Sequence, residues 1–266
     1  MDEDKDMLNG ANLEVKAPAL RPVYELHRAS EPAVRRATSC SLCPARAICF
    51  GGNEPQNSDE GIDSIVHTRR RVFRGEHLYY AGDAFKSLYS FRSGFFKSYV
   101  DTPDGQSQVV GFPMAGDVVG LDGIASDRYE RNVVALDDGE ACVIPYANIQ
   151  GLAARSPGIQ HQLHKIMSLE IVQEQVIVAM LGRMRAEPRV AKFLLGLSQR
   201  FAARGYSHTK FRLRMTREEI GSYLGLKLET VSRALSLFQK NGLIQLNFRS
   251  IEITDLRGLD GVTKGI

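Results

Sequence analysis

Between about residue 60 and residue 150 the apolar positions come in short bursts. "SLYSFRSG", "FKSYVD", "QVVGF" and "ACVIPY" are rich in β-forming residues, and Gly, Asp and Pro separate them at near-regular intervals. That rhythm predicts an antiparallel β-roll over 56–156. The period then changes: from about Gly158 to Arg183 the pattern is helical, with no Gly or Pro between Ile159 and Leu181. Pro188 punctuates the chain, a second helical region runs from Val190, and the polar loop "ARGYSHTK" leads into a compact C-terminal module. The fold class is α+β.

Within "MTREEIGSYLGLKLETVSRALSLFQKNGLI", Thr216 and Glu219 have the spacing of a capping box. Ile220, Gly221 and Leu224 give a short apolar face, and Gly225 suits the left-handed turn that ends a helix. A second helix is expected from near Leu228, with Leu228, Val231, Leu235 and Phe238 turned inward and Glu229, Ser232, Arg233 and Ser236 outward. This is a helix-turn-helix whose exposed face carries groove-reading chemistry. Arg forks onto guanine, Glu accepts from cytosine N4, and Ser is adaptable. "LIQLNF", a turn at Arg249 and Ser250, and "IEI" predict a β-hairpin wing.

On 3.5-residue spacing the long helix carries one stripe of Gln160, His164, Met167, Ile171, Glu174, Val178 and Leu181. Leu163, Ile166, Ile177 and Met180 form a neighbouring stripe that can pack on the roll. The first stripe is left for a partner, most simply a second copy in a parallel two-stranded coil. Glu174 would then lie near its twin, and two carboxylates losing water would make the dimer marginal.

Composition narrows the function. The chain has 266 residues and a formal net charge of +3. Between Arg200 and Asp255 ten Lys/Arg face five Asp/Glu, so phosphate attraction has a local source. No run approaches the ~18 apolar residues of a membrane span, and the acidic start "MDEDKDM" is unlike a secretory signal. A cytoplasmic protein without a membrane partner is expected. The six histidines are scattered and no Gly-rich phosphate loop follows a strand, so no enzyme is expected.

Cysteine usage is uneven. Cys40, Cys43 and Cys49 follow C-x2-C-x5-C in "SCSLCPARAICF", and Cys142 is distant. A reducing compartment argues against disulfides. Structural zinc usually pairs two short-range knuckles, whereas an iron–sulfur cube tolerates one tight trio and one distant thiolate. Spacing alone favours the cluster and leaves zinc open. Pro44 lacks an N–H that could reach a cluster sulfur and stiffens the loop.

The order suggested is an arm at 1–38, a cysteine loop at 39–55, the roll at 56–156, a dimerisation helix at 157–186, a winged helix-turn-helix at 187–256 and a tail at 257–266. In that order, with its cysteines and "MTREEIGSYLGLKLETVSRAL", the chain resembles the fumarate–nitrate reductase regulator branch of the cyclic-AMP receptor superfamily over nearly its full length. The resemblance implies a [4Fe–4S] cluster on Cys40, Cys43, Cys49 and Cys142. Oxygen would convert the cube, loosen a homodimer held by Met167, Ile171, Glu174, Val178 and Leu181, and abolish DNA binding. It further implies that Glu229, Ser232 and Arg233 read a TTGAT half-site in the double-stranded repeat TTGAT-N4-ATCAA. Gly105, Arg204 and Ser207 would contact RNA polymerase. Glu174 stands where the branch usually has Asp, and Gly105 precedes Gln106 where Gly-Asp is usual. No cyclic nucleotide is expected, because "GLDGIASDRYERNVVA" has Leu121 and Asn132 where the phosphate-holding acid and hydroxyl belong. A zinc- or thiol-based regulator and a small-molecule-responsive one are rival readings with the same DNA module.

Overall fold

A computed structural model describes residues 34–36, 40, 43, 45–49, 66 and 68–264. Pro44 and most of the arm lie outside the described residues. One strip of the expected arm is a strand. Val34–Arg36 (β1) pairs antiparallel with Thr68–Val72 (β2) and covers its edge, a three-residue strand too short to show a period.

Two sheets make the roll. The larger has the order β1-β2-β9-β4-β7, with Ser87–Ser93 (β4), Val118–Val119 (β7) and Gly139–Pro145 (β9). The smaller has the order β3-β8-β5-β6, with His77–Tyr79 (β3), Phe96–Asp101 (β5), Ser107–Gly111 (β6) and Asn132–Ala135 (β8). Stacked rings fill the space between them, Phe91 on Phe96 and Tyr79 on Tyr129, each pair with centroids 3.9 Å apart. The other side of the larger sheet packs on Ile149 and Leu152 of Tyr146–Ala153 (α1) and Ile159 of the following helix.

That helix, Pro157–Arg183 (α2), starts with Pro at its first position and Ser156 as N-cap, whose hydroxyl accepts from the Ile159 N–H. Leu163 and Ile166 pack against the roll. Met180 enters a second core with the C-terminal module.

Ala186–Ala202 (α3) begins ahead of the expected Val190, because Pro188 falls in a first turn whose N–H groups have no helical partner. Lys210–Arg212 (β10), Arg217–Leu224 (α4), Leu228–Lys240 (α5), Ile244–Asn247 (β11) and Ser250–Ile253 (β12) follow. The capping box is closed in both directions, and Gly225 takes φ 62° and ψ 39°. Half burial works against the Glu219 charge, but the Thr216 N–H and Lys97 hold the carboxyl below its ordinary value. In α5, Val231, Leu235 and Phe238 are buried. Leu228 is 43% exposed, against expectation, because it occupies the first turn before the helix meets the core. The wing turn is Phe248–Arg249 rather than Arg249–Ser250, since Ser250 already pairs with Asn247.

The expected tail is largely helix, Leu256–Thr263 (α6). Asp255 caps it by accepting from Gly258 N–H, and Leu259 is fully buried in the module's core. Roll and module share that core: Phe95, Val109, Phe112 and Met114 meet Leu194, Leu224 and Val231. The β6 edge is also covered, as Val109 N–H donates to Ser222 Oγ at 2.9 Å, and Lys97 of β5 pairs with Glu219 at 2.9 Å. Replacing Leu259 by Ala should cost about 2–4 kcal/mol, read as a lower urea midpoint; an unchanged midpoint would show that α6 is not part of the core.

Candidate functional site

Strand register builds the first site. Cys142 in β9 lies directly between Arg69 of β2 and Ser90 of β4, so the three side chains share one face. The cysteine loop, with its short 3-10 turn Arg46–Ile48, lies over that face. One pocket results, lined by Cys40, Cys43, Cys49 and Cys142 with Val66, Phe91 and Ile144. All four sequence-predicted ligands are brought together there. As placed, no three His, Cys, Asp or Glu side chains among the described residues are arranged to hold a single metal ion.

Burial and the neighbouring Cys49 push the Cys142 thiol up to about 11, while Arg69 pulls the other way through its charge and a hydrogen bond. Arg92 reaches Cys43 from the other end, and its Nη1 donates to Glu140 Oε2 at 2.6 Å. Ser90 Oγ and Cys49 Sγ are 3.2 Å apart. Four thiols in an apolar wall with two guanidinium groups alongside fit a thiolate-bound cluster: cationic irons would ionise the thiols, and Arg69 and Arg92 would offset the net negative charge. Arg69, Ser90 and Arg92 escaped the sequence reading because only the strand register places them beside the cysteines.

The second site is the outer face of α5. Glu229 and Arg233 are exposed, and Ser232 is half-buried, its hydroxyl 3.2 Å from Arg217 Nη1. The three predicted groove-facing residues thus lie on one face, and Arg217 adds a cation that the sequence reading left out.

On α2, where the seam is expected, Met167, Ile171, Glu174 and Val178 are exposed and Leu181 is half-buried. Glu174 itself is not an isolated charge. Arg131 pairs with it at 2.5 Å and with Glu170 at 3.0 Å.

Residues 69–156 match the cyclic nucleotide-binding domain, and residues 188–262 match the Crp-like helix-turn-helix domain. The chain is 44% identical over 223 residues to the transcriptional regulatory protein btr of Bordetella pertussis, covering 84% of this chain and 92% of that one. It is 38% identical over 233 residues to the fumarate and nitrate reduction regulatory protein of Escherichia coli K12, covering 86% of this chain and 93% of that one. The chain belongs to the fumarate–nitrate reductase regulator type of the cyclic-AMP receptor superfamily. The structure of FixK2 from Bradyrhizobium japonicum aligns with a TM-score of 0.68 at 28% identity, over 73% of this chain and 96% of that chain. A regulator of this type is a transcription factor with a DNA-binding helix-turn-helix, and no helix among the described residues is long and apolar enough to cross a membrane.

Other residues expected to be functional from the resemblance to this regulator family fall differently. Gly105, at φ 79°, closes an exposed turn, and Ser207 is exposed, its Oγ accepting from Lys210 N–H. Arg204 is not a surface residue. Its side chain is 9% exposed and spent on Asp117 and the Ala115 carbonyl, so the expectation of a polymerase contact there is corrected. In the roll, Asn132 is buried between the Ala81 N–H and Asp101, and Leu121 packs against the cysteine-side core, so both serve the fold.

Gly116, at φ 89°, faces the cysteine loop so closely that a Cβ there would stand 2.8 Å from the Ile48 side chain and 3.0 Å from its carbonyl. Gly116→Ala should therefore displace the loop, lowering iron retained after reconstitution while far-ultraviolet circular dichroism stays native. Full iron retention would show that the loop does not depend on this contact.

Proposed function

We propose that the protein is an oxygen-responsive transcription regulator that binds DNA as a homodimer when a [4Fe–4S] cluster is held by Cys40, Cys43, Cys49 and Cys142. The observation that carries this reading is the shared pocket of the four cysteines, flanked by Arg69 and Arg92. When bound, the cluster supplies the oxygen-reactive centre. The chain's own part is to desolvate the thiolates, offset their charge and join the cysteine loop to the wall of the roll. Cys142 lies on the side of the roll that also packs against Leu163 and Ile166 of α2. Tethering the loop to that wall therefore bears on the helix that carries the seam.

The DNA target is a TTGAT-N4-ATCAA-type repeat that controls anaerobic or microaerobic genes, with Glu229, Ser232 and Arg233 reading base edges. Gly105 and Ser207 remain the surface candidates for RNA polymerase. The roll keeps the shape of a nucleotide-binding domain without using a cyclic nucleotide.

Protein purified without air should be brown and carry about four irons and four sulfides per chain, and Cys142→Ala should be colourless. Arg233→Ala should weaken binding to the repeat by about 1–3 kcal/mol and relax discrimination at one base position. Colourless wild-type protein holding zinc would overturn the sensing half of the proposal. Uniform weakening of Arg233→Ala on all sequences would overturn the base-reading role.

A further inference from the structure

Glu170 and Glu174 stand one helical turn apart on α2, beside the exposed seam residues Met167, Ile171 and Val178. Two carboxylates at this spacing repel each other within one helix. In a parallel pair of helices each would also face the field of its twin across a seam that loses water. Among the described residues, Arg131, which comes from the roll and not from the helix, meets both: Nη1 reaches Glu170 and Nη2 reaches Glu174.

The arginine is held for this task. Its own backbone N–H and that of Glu130 donate to Asp122 Oδ2 at 3.1 and 2.8 Å, and Asp122 lies in the 3-10 turn Leu121–Ile124. Glu130 is fixed further by Ser126. The Arg131 side chain is 24% exposed, less than half the 55% of Glu174. A preorganised fork loses little freedom on meeting two carboxylates, and partial burial reduces screening of the pair.

We propose that Arg131 is a positioning residue for dimer formation: a counter-charge supplied by each roll to the acidic pair of its own α2, which removes most of the repulsion between the twin Glu174 carboxylates. The inference rests on the α2 seam of the proposed function and deepens it. Glu174 alone would oppose association, and Glu174 with Arg131 does not. A change in the roll that withdraws Arg131 restores the repulsion, so the clamp also provides a route from the roll to the seam.

The test is sedimentation equilibrium on anaerobically purified full-length protein with its iron content measured, at two salt concentrations. Arg131→Gln should weaken the dimer about tenfold, a loss that rising salt recovers. In the Glu170→Gln/Glu174→Gln background the same replacement should change the constant less than about twofold. An equal loss in both backgrounds, or no loss, would overturn the clamp. If Arg131→Gln fails to fold, Glu174→Gln alone decides: the clamp predicts less than about threefold tightening, and a gain beyond tenfold would mean the carboxylate is unneutralised. Failure of the seam reading is separate, because then wild type and the glutamine variants would all be monomers.

Discussion

One carboxylate, Asp117, ties the roll to the C-terminal DNA-binding module in the described chain. It accepts from Arg200 of α3, from Arg204 in the turn that follows, and from the Met114 N–H. Around it lies the shared apolar core of Phe95, Phe112 and Met114 with Leu194 and Leu224. Its chain neighbour Gly116 touches Ile48 of the cysteine loop. A change in the cysteine loop therefore bears on the segment that anchors the C-terminal module. Coupling between them needs no long relay, only a contact, a peptide unit and an ion pair.

The same physical rule recurs at three places: a charge that loses water is met by an oriented opposite charge. Arg69 and Arg92 sit beside thiols that a bound cluster would ionise, Asp117 sits between two arginines, and Arg131 sits between two glutamates. In each case one partner comes from the roll and the other from an element packed against it or, at the thiols, from a neighbouring strand or the cysteine loop. The charges thus join elements that could otherwise shift against one another, as a switch requires. Arg189 adds a neutral version, with its guanidinium closing the carbonyl ends of both α2 at Leu181 and α4 at Leu224.

What could be read from the sequence was local. Thr216, Glu219 and Gly225 act within a few residues of one another, so the helix start and the turn were legible. Val231, Leu235 and Phe238 were legible because a helix turns a fixed period into a buried face. Leu228 obeyed the period but not the burial, since a first turn projects beyond the core. α6 was missed because its eight residues depend on Leu259 finding a pocket made by distant elements. Arg204 was misplaced and Arg131 overlooked for one reason: their partners lie 87 and 43 residues away, a separation that no local pattern encodes. The cysteine spacing was visible, but Arg69 and Ser90 became part of the site only through the register of β2, β9 and β4.

The central claim is that cluster, dimer and DNA binding rise and fall together. The most direct measurement follows one anaerobic sample of cluster-loaded protein as air is admitted, recording its visible absorbance, its sedimentation coefficient and its binding to a TTGAT-N4-ATCAA duplex. The three signals should decay together, leaving a colourless monomer without affinity for the duplex. A bleached protein that stays dimeric and keeps its grip on the duplex would contradict that claim.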